Sequence, residues 1–146
     1  MEVNLAINKA IEYFDEGYNC AESVLLAFTD YFNIKDDNIP KIATMFGGGI
    51  SRNGLICGAL SGAVISIGLR NGRLTPDDDK LKGYDKTGVI IDSFYERFGS
   101  INCKDLIGVS LQDPEGLEKY HNENIHSKKC VQYVEFVITL LINFYR

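Results

Sequence analysis

The sequence predicts an all-α fold, a compact bundle of about five to eight helices in one domain spanning residues 1–146. Three observations carry that expectation. Apolar residues recur at helical spacing through most of the chain. Asn, Ser, Thr, Pro and Gly stand where helix starts and stops need them. No stretch alternates with period two, and no Asn-Gly turn joins two β-branched runs. With 146 residues, 45% hydrophobic content and only three prolines, the chain can build a single core and is too apolar for disorder.

The elements follow in order. Val3, Ile7, Ala10, Ile11 and Phe14 form one stripe of a first helix, which Gly17 breaks. Asn19 with Glu22 three residues on is an Asn version of the capping box, opening a second helix with Val24, Leu25, Phe28 and Phe32 inward. A short third helix opens at Asn38 with Pro40 in its first turn and stops at Gly47. The stretch 47–54, with three successive glycines, reads as a loop. From Leu55 the chain is apolar nearly all round, as in a central helix, and Gly58 and Gly62 lie one turn apart for a close approach of another backbone. Thr75-Pro76-Asp77-Asp78 reads as a helix start, followed by Tyr84, Ile91, Phe94 and Phe98 facing inward and a stop at Gly99; Gly83 and Gly88 invite a kink. Ser100 caps a short helix closed by Gly108, and Asp113-Pro114-Glu115 starts another. Ser127 opens the last helix, through Val131, Val134, Ile138, Leu141 and Tyr145. Its run from Phe136 to Tyr145 is apolar on every face, which predicts either a homodimer contact or the central helix of the fold.

Composition narrows function. Fifteen Lys and Arg against twenty Asp and Glu give a net charge of -5, which argues against nonspecific nucleic-acid binding. The longest uncharged stretch, Asn53 to Leu69, is short of the roughly 20 residues of a membrane span. No basic segment leads into an apolar run at the N-terminus, so a cytoplasmic location with reduced thiols is expected. No serine has a His/Asp constellation, and no Gly-Lys-Ser/Thr follows the glycine run Gly47-Gly48-Gly49. That run could still cradle an anion, with Arg52 beside it to neutralise charge. His121 and His126 are secondary ligand candidates, and Asp77-Asp78-Asp79 reads as helix-start chemistry rather than a metal site.

Four cysteines, at 20, 57, 103 and 130, remain. No Cys-x-x-Cys pair occurs, so zinc-finger and ferredoxin spacings are absent, as is the Cys-x-x-Cys-His of covalent c-type haem. Each cysteine, however, falls in or near the first turn of an expected helix. Unpaired N–H groups there favour a thiolate over a thiol and would suit an anionic metal–thiolate cluster. Two readings stay open at this point: one shared site, or four unrelated buried cysteines packing as small hydrophobes.

The sequence resembles the family of redox-active proteins labelled C_GCAxxG_C_C. The resemblance is carried by Gly-Tyr-Asn-Cys-Ala-Glu-Ser-Val-Leu at 17–25, Phe-Gly-Gly-Gly at 46–49, Cys-Gly-Ala-Leu-Ser-Gly at 57–62, Phe-Gly-Ser-Ile-Asn-Cys at 98–103 and Cys130, and runs from about residue 5 to 140. That family is similar to a cysteine-bearing region of the split-Soret cytochromes, which are dimeric; their haem segment is missing here. The resemblance implies a redox site on Cys20, Cys57, Cys103 and Cys130, with Gly47, Gly48, Gly49 and Gly58 beside it. The leading expectation is an iron–sulfur cluster passing electrons to a redox protein partner within a homodimer. The alternatives are a thiol–disulfide or persulfide oxidoreductase in which Cys57 attacks, and a non-redox helical module that binds zinc or a small ligand.

Overall fold

The structure is a computed structural model that describes residues 2–146. Eight α-helices, one 3₁₀-helix and one π-turn make up its order, and the described residues contain no strand beyond one isolated bridge. The all-α expectation holds.

Helix α1 (Glu2–Glu16) buries Ala6, Ala10 and Phe14, one position off the expected stripe at its start, with Val3 and Ile7 only partly covered. Helix α2 (Cys20–Tyr31) begins on the expected capping box: Asn19 Oδ1 accepts the Glu22 N–H at 2.9 Å, and the Glu22 carboxylate accepts the Asn19 N–H at 3.0 Å. The same two side chains reach outside the helix. Asn19 Nδ2 donates to the Thr44 carbonyl at 2.9 Å and Thr44 Oγ1 to Glu22 at 2.8 Å, tying the start of α2 to the next segment. That segment is tighter than expected, a 3₁₀-helix Lys41–Phe46 with Pro40 at its N-cap.

The glycine run forms no ordinary loop. It makes a single turn, α3 (Gly47–Ile50), in which φ is positive at Gly48 (67°), Gly49 (69°), Ile50 (64°), Ser51 (51°) and Arg52 (69°) in succession. A left-handed turn sets side chains against the backbone at about 1–2 kcal/mol for each residue that is not glycine, so the chain holds Ile50, Ser51 and Arg52 there against a real penalty. Helix α4 (Gly58–Asn71) follows and is buried along Ala59, Leu60, Ala63 and Ile67. Its close approach falls on α2: a Cβ at Gly62 would lie 2.6 Å from the Ala21 carbonyl oxygen.

Several expectations are corrected in the next stretch. Residues 75–78 form a turn rather than a helix start, because the Asp78 carboxylate accepts the N–H groups of Leu74 and Thr75, which also lower its pKa. Helix α5 (Leu81–Phe98) starts later, with Asp79 accepting the Leu81 N–H at 3.1 Å, and runs unbroken past Gly83 and Gly88 to its left-handed stop at Gly99. It turns Ile90 and Phe94 inward but leaves Tyr84 63% exposed. Helices α6 (Cys103–Ile107) and α7 (Pro114–Asn122) are short; Asn102 rather than Ser100 is the N-cap residue of α6, and Asp113 is that of α7 as expected.

Helix α8 (Val131–Tyr145) is reached through a π-turn, His126–Cys130, so Ser127 lies inside a helical run instead of starting one. The helix is central to the fold, as the second explanation for its apolar girth expects. Val134, Val137, Ile138, Leu141 and Ile142 are fully buried, α8 packs on α1, α2, α4 and α5, and none of its apolar side chains is exposed. An aromatic cluster of Phe94, Phe98, Tyr133 and Phe136, with centroids 4.8–6.1 Å apart, joins α8 to α5. No described helix is long and apolar enough to cross a membrane.

Candidate functional site

Each cysteine is delivered by a different local device. Cys20 is the first residue of α2, and the N–H groups of Ala21 and Cys20 face its sulfur together with those of Gly48, from the left-handed turn, and Ala59, from α4. Cys57 occupies the N-cap of α4, where the N–H groups of Ala59 and Leu60 face it. Cys103 opens α6 and is brought to Cys57 by the isolated antiparallel bridge between Ile56 and Asn102: the Cys57 N–H donates to the Ile101 carbonyl at 2.8 Å and the Cys103 N–H to the Leu55 carbonyl at 2.6 Å. Cys130 closes the π-turn, a departure from α-helical winding that recurs at functional sites, and its sulfur accepts the Tyr120 hydroxyl at 3.5 Å.

These devices converge. All four cysteines line one small chamber of about 20 Å³, together with Gly58, Leu106, Ile107 and Tyr133. That is room for about one water molecule. Cys20, Cys103 and Cys130 also line a larger neighbouring cleft of about 430 Å³, while Cys57, only 5% exposed, belongs to the chamber alone. All four are free thiols. The glycines matter here by what they lack: a Cβ at Gly58 would sit 2.2 Å from Cys20 Sγ, and one at Gly49 would sit 2.7 Å from Cys103 Cβ.

The electrostatics reverse one expectation. Helix starts were expected to lower the thiol pKa values, and the N–H groups around Cys20 and Cys57 do act in that direction. Burial outweighs them at every site. Cys20 is raised; Cys57 is raised well above its ordinary value, with charge on Cys20 adding to the rise; Cys103 is pushed up to about 12 and Cys130 to about 11. Tyr133, beside them, is pushed up to about 12, first by burial and then by charge on the cysteines.

A linkage prediction follows for the metal-free, reduced protein. Above pH 9, near the ordinary thiol value, the unfolded chain loses thiol protons that the folded chain keeps until about 11 to 12. Stability is therefore full below pH 9 and falls as pH rises through that window, by on the order of 1 kcal/mol per unit for each thiol still protonated. The urea midpoint should drop by more than a fifth between pH 8 and 10.5; a flat midpoint contradicts the burial of these groups.

Among the described residues no three Cys, His, Asp or Glu side chains converge closely enough on one point to hold a metal ion. A mononuclear tetrathiolate therefore has no ready-made seat. A two-iron cluster does not require one, since it takes two ligands on each iron. Four thiols with peptide N–H groups on two of them supply the ligand number of such a cluster, but the chamber, with room for about one water molecule, would have to open to admit it.

The other sequence candidates divide. Gly47, Gly48, Arg52 and His121 line the larger cleft. Gly49 is buried against Cys103 without lining either space, and His126 stacks on Phe14 with centroids 3.8 Å apart. Sequence reasoning missed Tyr120 and Tyr133. Tyr133 carried a signal, three residues after Cys130 and so on the same helical face; Tyr120 carried none.

Comparison with known proteins bears on this site. Residues 18–144 match the family described as "Putative redox-active protein (C_GCAxxG_C_C)". An uncharacterized protein of Archaeoglobus fulgidus is 34% identical over 114 residues, covering 72% of this chain and 76% of its own. No solved structure matches the chain.

Proposed function

Because the chain belongs to the C_GCAxxG_C_C family of redox-active proteins, we propose that Cys20, Cys57, Cys103 and Cys130 act as one redox site, holding an iron–sulfur cluster that exchanges electrons with a protein partner. The observation that carries this reading is the shared chamber, built from four separated segments with all four cysteines lining it. When bound, such a cluster supplies one-electron chemistry at a potential governed by its charge, its hydrogen bonds and its exposure.

The chain's own residues govern those quantities. Peptide N–H groups of Ala21, Gly48 and Ala59 at Cys20 offset negative charge on sulfur, as does the Tyr120 hydroxyl at Cys130. Leu106, Ile107 and Tyr133 keep the inner wall apolar and exclude water. Cys57 and Cys103 are the deeper ligands. Cys20 and Cys130, partly exposed, lie nearer the surface that a partner would meet.

The dithiol alternative, with Cys57 as attacking thiol, meets an obstacle. A nucleophile must be a thiolate and must be reached, whereas Cys57 is buried and its pKa is raised. Anaerobic purification followed by iron, sulfide, zinc and thiol quantification separates the readings. Iron with matching sulfide, a visible charge-transfer spectrum and no titratable thiols is expected, and each Cys→Ser variant should lose most of the iron. Four titratable thiols and no iron after anaerobic reconstitution would overturn the cluster; one rapidly alkylated thiol in that form would favour dithiol chemistry, and zinc without sulfide the non-redox module.

A further inference from the structure

The cleft beside the chamber has a chemistry of its own. Its volume of about 430 Å³ lies in the range of small-molecule sites, which are apolar with a few placed polar groups. Phe14, Leu111, Leu117 and the ring of Tyr120 form its apolar walls. No Asp or Glu lines it, although the chain carries 20 acidic residues against 15 basic ones. The lining residue with a permanent positive charge is Arg52.

Arg52 is held in place at some cost. It ends the left-handed turn with φ at 69°, a conformation that disfavours any residue with a Cβ. Its stem packs across Gly48, where a Cβ would lie 3.1 Å from Arg52 Cγ. Among the described residues no carboxylate pairs with it; the one ion pair there is Lys119–Glu123. Strain of this kind clusters where geometry serves binding, and here it sets an arginine without an ion-pair partner in the lining of an acid-free apolar cleft.

We propose that this cleft binds a small organic anion, with an apolar body against Phe14, Leu117 and Tyr120 and a single carboxylate or sulfonate head at Arg52. Bound there, the molecule lies against Cys20, Cys103 and Cys130, which line the same cleft. The inference rests on the shape and charge of the cleft, and it stands or falls independently of what the thiols carry.

Calorimetric titration tests it with three probes: phenylacetate, benzyl alcohol (the body without the charge) and inorganic sulfate (the charge without the body). Phenylacetate should bind saturably, and each of the others at least ten-fold more weakly. Arg52→Gln should weaken phenylacetate about ten-fold, the equivalent of ~1.4 kcal/mol, and leave benzyl alcohol unchanged. Leu117→Asp should abolish phenylacetate binding, and Arg52→Lys should restore part of what Arg52→Gln loses. The proposal is overturned by equal affinity for phenylacetate and benzyl alcohol, by an unchanged affinity in Arg52→Gln, or by no binding of phenylacetate at millimolar concentration. Iron and sulfide content of Arg52→Gln, expected to equal that of the wild type, keeps failure of the anion site distinct from failure of the cluster.

Discussion

Replacing Gly49 with alanine should lower the melting temperature by roughly 10 °C and disorder the Cys103 end of the site. Two penalties add. Alanine in a left-handed conformation costs about 1–2 kcal/mol. The new Cβ would lie 2.6 Å from the Leu55 nitrogen, 2.7 Å from Cys103 Cβ and 2.8 Å from the Gly54 carbonyl carbon, and two of these are backbone atoms with no rotamer to escape into. Overpacking of that kind costs about 1–3 kcal/mol, and a domain of this size loses a few degrees for each kcal/mol. The displacement has a route to the site. Leu55 donates its N–H to the Gly49 carbonyl at 2.9 Å and accepts the Cys103 N–H at 2.6 Å, so moving residue 55 moves Cys103. Thermal unfolding of Gly49→Ala beside the wild type decides this; a change under 2 °C would mean that the left-handed turn is not the native conformation.

Gly58→Ala should do the opposite, sparing the fold and emptying the site. Alanine gains about 1 kcal/mol over glycine in a helix interior and a fraction of that at the first position, where Gly58 stands. The clash is severe, 2.2 Å to Cys20 Sγ with the Phe46 carbonyl oxygen at 3.0 Å, but the sulfur ends a side chain that can rotate away. Gain and strain nearly cancel in stability, while Cys20 leaves its N–H donors. Iron bound per chain should fall at least ten-fold with the melting temperature within a few degrees of wild type. Gly68→Ala, on the same helix with nothing within 4 Å of its added Cβ, is the control and should keep full occupancy. Equal iron in the two variants would remove Cys20 from the site.

The sequence was most legible where structure is decided locally. The capping box at Asn19, the proline start at Pro114 and the glycine stops at Gly99 and Gly108 depend on neighbours within a few residues, and all stand as expected. Thr75-Pro76-Asp77-Asp78 failed because the Asp78 carboxylate is equally able to close a turn, and the two outcomes share one local pattern. The apolar girth of α8 shows that helix to be buried without saying by what; only the packing of α1, α2, α4 and α5 around it decides. Of the site, the first-turn position was legible for Cys20, Cys57 and Cys103, whereas Cys130 sits at a junction between π and α winding that no residue pattern marks. The pairing of Ile56 with Asn102 joins segments distant in the chain, and the burial that lifts all four thiols is a property of the assembled chamber.

The scatter of the four cysteines along the chain has a topological consequence. Any group that joins Cys20 to Cys130 closes a loop of about 110 residues, and joins to Cys57 and Cys103 subdivide it. Cross-links of that span restrict the unfolded chain by on the order of 4–5 kcal/mol in the entropic account. A cofactor bridging these sulfurs would therefore also be a staple, drawing both ends of the molecule into one closed ring of chain. Its loss would weaken the whole fold at once, making the chain's durability a reporter of whether those sulfurs are bridged.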